Sequence, residues 1–240
     1  MSGDTTAFQP RVNVDNPDPR TPCAVLLDVS GSMDGHPIER LNEGLALFQR
    51  ELQANDVARK RVELELVTFG GEGVKATGFQ EAQAFNSPSL EADGGTPLAE
   101  ALLRALNDLT ERKKLYREAG IDYSRPWLFL LTDGVPTDDR QLIESARNRV
   151  RADQEGLHVA LFAIGVGDAV DMAFLESLCT KNKPRRLDEL KFDKFFQWLS
   201  NSLSIHSQRD PTGSNDKTIA SKEKKTGVQQ TLPPAEEWTG

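Results

Sequence analysis

Three short apolar runs and one alternating run, each followed by an amphipathic segment, leave few folds open to this chain. Cys23–Val29 (CAVLLDV), Trp127–Leu131 and Val159–Val166 are almost continuously apolar. Such runs fit strands covered on both faces, as in a parallel sheet flanked by helices. Val62–Phe69 instead alternates Val62, Leu64 and Leu66 with Glu63 and Glu65, which predicts a strand with one more polar face. Pro37 opens a helical pattern with Ile38, Leu41, Leu45, Phe48 and Leu52. Thr96-Pro97 opens another, with Leu98, Leu102, Leu106 and Leu109, and Thr96 reads as its N-cap. Asp138 or Asp139 caps a third helix, with Leu142, Ala146 and Val150 on one face. A short helix is expected from about Asp171 to Leu178, and Phe192, Phe195, Phe196, Leu199 and Leu203 mark the last. The glycine-rich 70–78 stretch predicts a hairpin into a short edge strand. Strands alternating with helices predict an α/β domain: a doubly wound, mostly parallel, Rossmann-like sheet with one short antiparallel edge strand.

The 240 residues leave room for this domain and two tails. Residues 1–21 contain Pro10, Pro17 and Pro19 and read as an extended lead-in. Residues 22–206 form the expected domain, and 207–240 read as a flexible tail with Leu232–Trp238 as a docking motif. No run approaches the roughly 20 apolar residues of a membrane span. No apolar segment follows a basic one near Met1, so a cytoplasmic chain without a secretory leader is expected. Twenty-nine Lys and Arg against 37 Asp and Glu give a net charge of -8, which argues against nucleic acid or an anionic membrane as partner. Cys23 and Cys179 sit in apolar surroundings and read as reduced thiols. Two cysteines and three histidines do not supply a zinc framework. Gly71-Glu-Gly73 has no strong helix after it, and no P-loop motif occurs.

Three fragments fall at predicted strand ends or helix starts. They are Asp28-Val-Ser30-Gly-Ser32, Asp93-Gly-Gly-Thr96 and Thr132-Asp133-Gly134. In a doubly wound sheet the crevice lies beyond the carboxyl ends of the strands, so all three can meet there. Asp28, Asp133, Ser30, Ser32 and Thr96 offer only hard oxygen donors, a set suited to Mg2+ or Mn2+. Gly31 permits the bend that brings residues 28, 30 and 32 together, and Gly94 and Gly95 let the Thr96 loop approach. Five donors leave at least one octahedral position for an outside carboxylate. Met33, His36, Gly95 and Pro136 lie close in sequence and are the expected partner contacts. Asp34 reads as a cap of the first helix, and Thr137 and Asp138 as helix-capping residues.

Asp28-x-Ser30-x-Ser32, Thr96 and Asp133, in that order and spacing, resemble the metal-ion-dependent adhesion site of von Willebrand factor A (vWA) domains. The resemblance runs from about Pro22 to Ser204. Within the family, Asn16–Cys23, Leu27–Met33, Leu131–Asp138 and the Phe195–Ser200 helix are similar to bacterial tellurium-resistance proteins of the TerY type. The resemblance implies a non-catalytic, metal-dependent protein-binding module of a stress-response or defence system. It implies direct coordination by the two serines, and by the threonine in the ligand-bound state. Expected partners are a kinase and phosphatase set or an ATPase, with a monomeric chain as the default. Alternatives are a vWA subunit of an ATPase or chelatase-like assembly, and a Mg2+-dependent phosphohydrolase. The latter needs a second Asp where this chain has Ser30.

Overall fold

The apolar runs become the centre of one seven-stranded sheet. The computed structural model describes residues 12–168, 170–187 and 190–208. In chain order the elements are β1 (Thr21–Val29), α1 (His36–Ala54), α2 (Ala58–Arg61), β2 (Val62–Gly70), β3 (Gly73–Ala76), β4 (Gln80–Glu81), α3 (Leu98–Glu118), β5 (Trp127–Thr132), α4 (Arg140–Glu155), β6 (Ala160–Val166), α5 (Met172–Leu178), β7 (Arg185–Leu187) and α6 (Phe192–Ser207). The strand order is β3-β2-β1-β5-β6-β7, with β4 also on β2. β1, β2, β5, β6 and β7 pair in parallel. β3 and β4 are antiparallel to β2, so the expected edge strand arrives in two short pieces. The chain lays β2 on one side of β1 and then returns to place β5 on the other. That reversal opens a crevice between the carboxyl ends of β1 and β5.

Strand alternation sorts the two cores. Cys23, Val25 and Leu27 pack with α1 and α6 on one face. Ala24 and Leu26 pack with α3, α4 and α5 on the other. α1 buries the predicted set, Ile38 to Leu52, at its three- and four-residue spacing. Phe48 meets Phe196 of α6 with ring centroids 5.3 Å apart. The two helices approach closely because Gly44 has no side chain: a Cβ there would lie 2.7 Å from the Phe196 ring. Both cysteines are free thiols. Burial pushes the Cys179 thiol up to about 11, which makes it unreactive near neutrality.

The polar face expected on β2 is present, and it is buried. Glu63 and Glu65 are 0% and 1% exposed, because α3 packs across that face. Glu63 accepts from Arg20 Nε at 3.2 Å, from Arg112 Nε at 2.6 Å and from the Tyr116 hydroxyl. Glu65 has no such clamp, and its Oε2 lacks a hydrogen-bond partner. Burial, reinforced by the Asp108 carboxylate and opposed by Arg104, pushes Glu65 up to about 9 from an ordinary value of 4.5. A pKa raised in the folded state contributes stability that is full below 4.5 and lost as pH rises toward 9. Glu65→Gln is therefore expected to flatten the fall in denaturation midpoint between about pH 5 and about pH 8. An unchanged pH profile in the variant contradicts this.

The described part of the lead-in is tied to the base of the sheet. Arg20, 1% exposed, donates to the carbonyls of Asn13, Asn16 and Asp18. Arg61 donates to Asp18 Oδ1 at 3.1 Å and to the Ser207 carbonyl at 2.9 Å. The expected docking motif, Leu232–Trp238, lies outside the described residues. Among the described residues no helix is long and apolar enough to cross a membrane.

Candidate metal centre

Asp28 ends its strand one residue before the chain turns, and it is 1% exposed. Its Oδ1 accepts the Ser30 N–H at 2.9 Å, so the carboxylate itself shapes the turn. Its Oδ2 accepts the Thr132 hydroxyl from the neighbouring strand β5. Thr132 Oγ1 in turn accepts the Gly134 N–H at 3.2 Å. Ser30 Oγ lies 3.1 Å from Ser32 Oγ, and Ser32 donates to Asp133 Oδ1 at 2.8 Å. Four predicted donors therefore form one chain across the β1–β5 crevice. The fifth is there too. A Cβ placed on Gly134 would lie 3.2 Å from Thr96 Oγ1 and 3.8 Å from Asp28 Oδ2, so both oxygens face the same spot.

Thr96 does not cap α3, contrary to the sequence expectation. The cap position falls to Pro97. The α3 N–H groups of Ala99 and Glu100 donate instead to the Asp138 carboxylate, at 2.9 and 3.1 Å. The Thr96 backbone is held by Thr137, whose Oγ1 accepts the Thr96 N–H at 2.9 Å. These two contacts from the β5–α4 loop leave the Thr96 hydroxyl with no capping duty. Asp138 thus caps the neighbouring helix, while Asp139 caps α4 through Gln141 N–H at 2.8 Å.

The loop that carries Thr96 fits only because it is glycine-rich. Gly94 has φ +67°, and its carbonyl accepts the Gly31 N–H at 3.0 Å. A Cβ on Gly94 would stand 2.3 Å from Gly71 Cα, a backbone clash that no side-chain rotation relieves. Gly94→Ala is expected to displace Thr96 and lower affinity for Mg2+ by about tenfold or more. Isothermal titration on the folded variant checks it, and wild-type affinity would refute it.

Both carboxylates are raised above their ordinary values. For Asp28 the cause is burial, opposed by the bonds from Ser30 and Thr132 and reinforced by Asp133. For Asp133 it is again burial, opposed by Ser32. Burial at the crevice thus disfavours the charged form of both acids, and Asp28 is more completely buried than half-buried Asp133. Among the described residues no group of three or more His, Cys, Asp and Glu could hold a metal. The oxygens gathered here are two carboxylates and three hydroxyls, a donor set that would fit a hard divalent cation.

The expected rim contacts divide. Gly95 and His36 are exposed, and Pro136 is half-buried beside Val135, which is 57% exposed. His36 Nε2 accepts from Arg40 at 3.3 Å. Met33 is a correction: it is 2% exposed and packs into the α1–α6 core, because the turn after Ser32 points it inward. Asp34 does not cap α1, whose N-cap is Gly35; its N–H closes the preceding turn on the Gly31 carbonyl at 3.2 Å, and the residue is exposed. Thr132 is the residue that the sequence reading passed over. Its signal was a hydroxyl at the last position of an apolar strand, directly before Asp133.

Residues 24–197 match the family profile of the von Willebrand factor type A domain. Inter-alpha-trypsin inhibitor heavy chain H4 of Sus scrofa is 30% identical over 194 residues, covering 74% of this chain and 20% of that protein. Heavy chain H3 of Homo sapiens is 28% identical over 196 residues, covering 75% and 21%. The chain thus spans about a fifth of the length of these curated relatives. The pilus adhesin SpaC from Lactobacillus rhamnosus GG, in an open conformation, superposes with a TM-score of 0.62 at 14% identity, covering 82% of this chain and 31% of that one. Manganese-loaded TRAP of Plasmodium vivax superposes with a TM-score of 0.51 at 20% identity, covering 74% and 73%. These superpositions speak to the fold, and the profile to the family. The chain belongs to the von Willebrand factor type A domain family.

Proposed function

We propose that this domain captures a protein partner through a divalent cation, Mg2+ or Mn2+, held by Asp28, Ser30, Ser32, Thr96 and Asp133. The observation that carries this reading is the convergence of two carboxylates and three hydroxyls from three separate loops onto one spot. Two carboxylates balance a doubly charged ion without a surplus of negative charge. The remaining coordination position then favours an anionic oxygen, and a carboxylate of the partner completes the shell. The manganese in the TRAP structure supports a metal of this class. The role proposed is recruitment rather than catalysis: Ser30 stands where the phosphohydrolase alternative needs a second Asp.

The TerY-like segments Asn16–Cys23 and Leu131–Asp138 support a setting in a bacterial cytoplasmic stress or defence system. A kinase and phosphatase set then supplies the partner, and an ATPase is the second choice. Thermal unfolding of the purified chain tests the metal step. A ligand at 100 times its Kd adds about 2.7 kcal/mol of stability, so millimolar Mg2+ or Mn2+ should raise Tm and EDTA should reverse the rise. An unmoved Tm in both metals sinks the reading. Host proteins that co-elute in Mg2+ and drop away in EDTA identify the partner.

A further inference from the structure

The loops around the metal centre carry a one-sided charge. Residues 30–35, 86–97 and 133–139 contain no Lys or Arg. They carry five further carboxylates, on Asp34, Glu91, Asp93, Asp138 and Asp139; Asp138 caps α3, and the other four residues are exposed. None of these four makes an ion pair among the described residues. Asp93 is fixed beside the site, since its N–H donates to the Val29 carbonyl at 2.9 Å. Asp34 follows the Ser30–Met33 turn directly, and Asp139 closes the loop that starts at Asp133. The two central carboxylates are already matched by the cation. The rim is therefore net negative, and it surrounds a position that itself wants an anion.

These facts conflict unless the partner resolves them. A carboxylate on an acidic surface meets four unpaired negative charges before it reaches the cation. A carboxylate with cationic neighbours is drawn in by the same charges. Beside Asp133 the rim also offers an apolar step, Val135, 57% exposed in an otherwise polar loop. We infer that the partner presents one Asp or Glu from a basic segment, with Lys or Arg beside it and an apolar side chain resting on Val135. This rests on the metal-binding reading above. It adds which carboxylates the site accepts and which it turns away.

The test uses fluorescence anisotropy on the full chain in Mg2+ or Mn2+, with labelled synthetic peptides. One peptide has a central Asp next to Leu and flanked by Lys. A second replaces the Lys by Glu, and a third keeps the Lys but replaces Asp by Asn. The Lys-flanked Asp peptide should bind about tenfold or more tightly than the Glu-flanked one at low salt, and the gap should narrow as salt screens the rim. The double variant Asp34→Asn/Asp93→Asn, checked for fold by circular dichroism, should narrow it in the same way. Val135→Ser should weaken the Lys-flanked peptide without changing its salt dependence. Equal, metal-dependent binding of the Lys- and Glu-flanked peptides overturns the basic-partner inference and leaves the metal reading intact. Binding that persists in EDTA and with Asn in place of Asp overturns the metal reading instead. No binding of the Lys-flanked peptide at millimolar concentration overturns the inference as well.

Discussion

Replacing Glu63 with alanine is expected to lower the unfolding free energy by about 3–5 kcal/mol. Glu63 is 0% exposed, and it is the anion that faces two buried guanidinium groups, Arg20 and Arg112. Removing it takes the nearest carboxylate from both cations where water cannot replace it, and leaves Arg20 the more distant Glu81 at 3.8 Å. Arg112 also stands over the rings of Phe79 and Tyr116, at 5.7 and 5.3 Å from their centroids, so it cannot swing out without disturbing the packing under α3. Domains of this size are stable by about 5–15 kcal/mol, so the loss is a large share of the total. Urea denaturation of the variant measures it. Glu63→Gln keeps an acceptor and should fall between wild type and Glu63→Ala. A loss below about 1 kcal/mol for the alanine variant would show that the two arginines find other partners. Because Arg20 also holds the carbonyls of residues 13, 16 and 18, protease should reach that segment sooner in the variant.

Asp28→Ala is expected to abolish the rise in Tm caused by Mg2+ or Mn2+, and with it capture of a partner. The metal-free variant should still fold, because the carboxylate it removes is one that burial already disfavours in its charged form. Thr132→Val separates holding the cation from holding its holder. The substitution keeps the shape but removes the hydroxyl that bonds Asp28 Oδ2 and receives Gly134 N–H. Groups that orient a ligand in this way are worth about 10–100-fold in metal affinity. Calorimetric titration should therefore show binding weakened in Thr132→Val and absent in Asp28→Ala. Wild-type affinity in Thr132→Val would leave Asp28 oriented by its bond to Ser30 alone.

That five oxygen-bearing residues would meet at one crevice was legible in the sequence, because each lies by a feature with its own local signal. Asp28 and Asp133 follow apolar strands, and Thr96 precedes a proline and a helical leucine pattern. Doubly wound topology then places strand ends together without knowledge of any side-chain contact. The contacts between distant segments were not legible. The alternation of β2 predicts a polar face whether or not a helix lies across it, and only the packing of α3 shows that Glu63 and Glu65 are dry. Thr96-Pro97 has the local signature of a cap, and nothing nearby indicates that Asp138, far along the chain, takes that duty. Met33 reads as a partner contact because it follows Ser32 in sequence, yet one turn of backbone directs it into the core.

The bond from Arg61 to both Asp18 and Ser207 has a consequence for how the domain can be used. Asp18 precedes β1 and Ser207 ends α6, so the chain enters and leaves side by side. Both points lie at the foot of the sheet, the pole opposite the oxygen cluster. Within the described residues, the two ends of the domain therefore meet behind the oxygen cluster. Two ends that meet at one pole let such a domain be inserted into another chain without the insertion points crowding the oxygen cluster. Lengthening a connection at residue 18 or 207 changes how far that cluster reaches without changing what it holds.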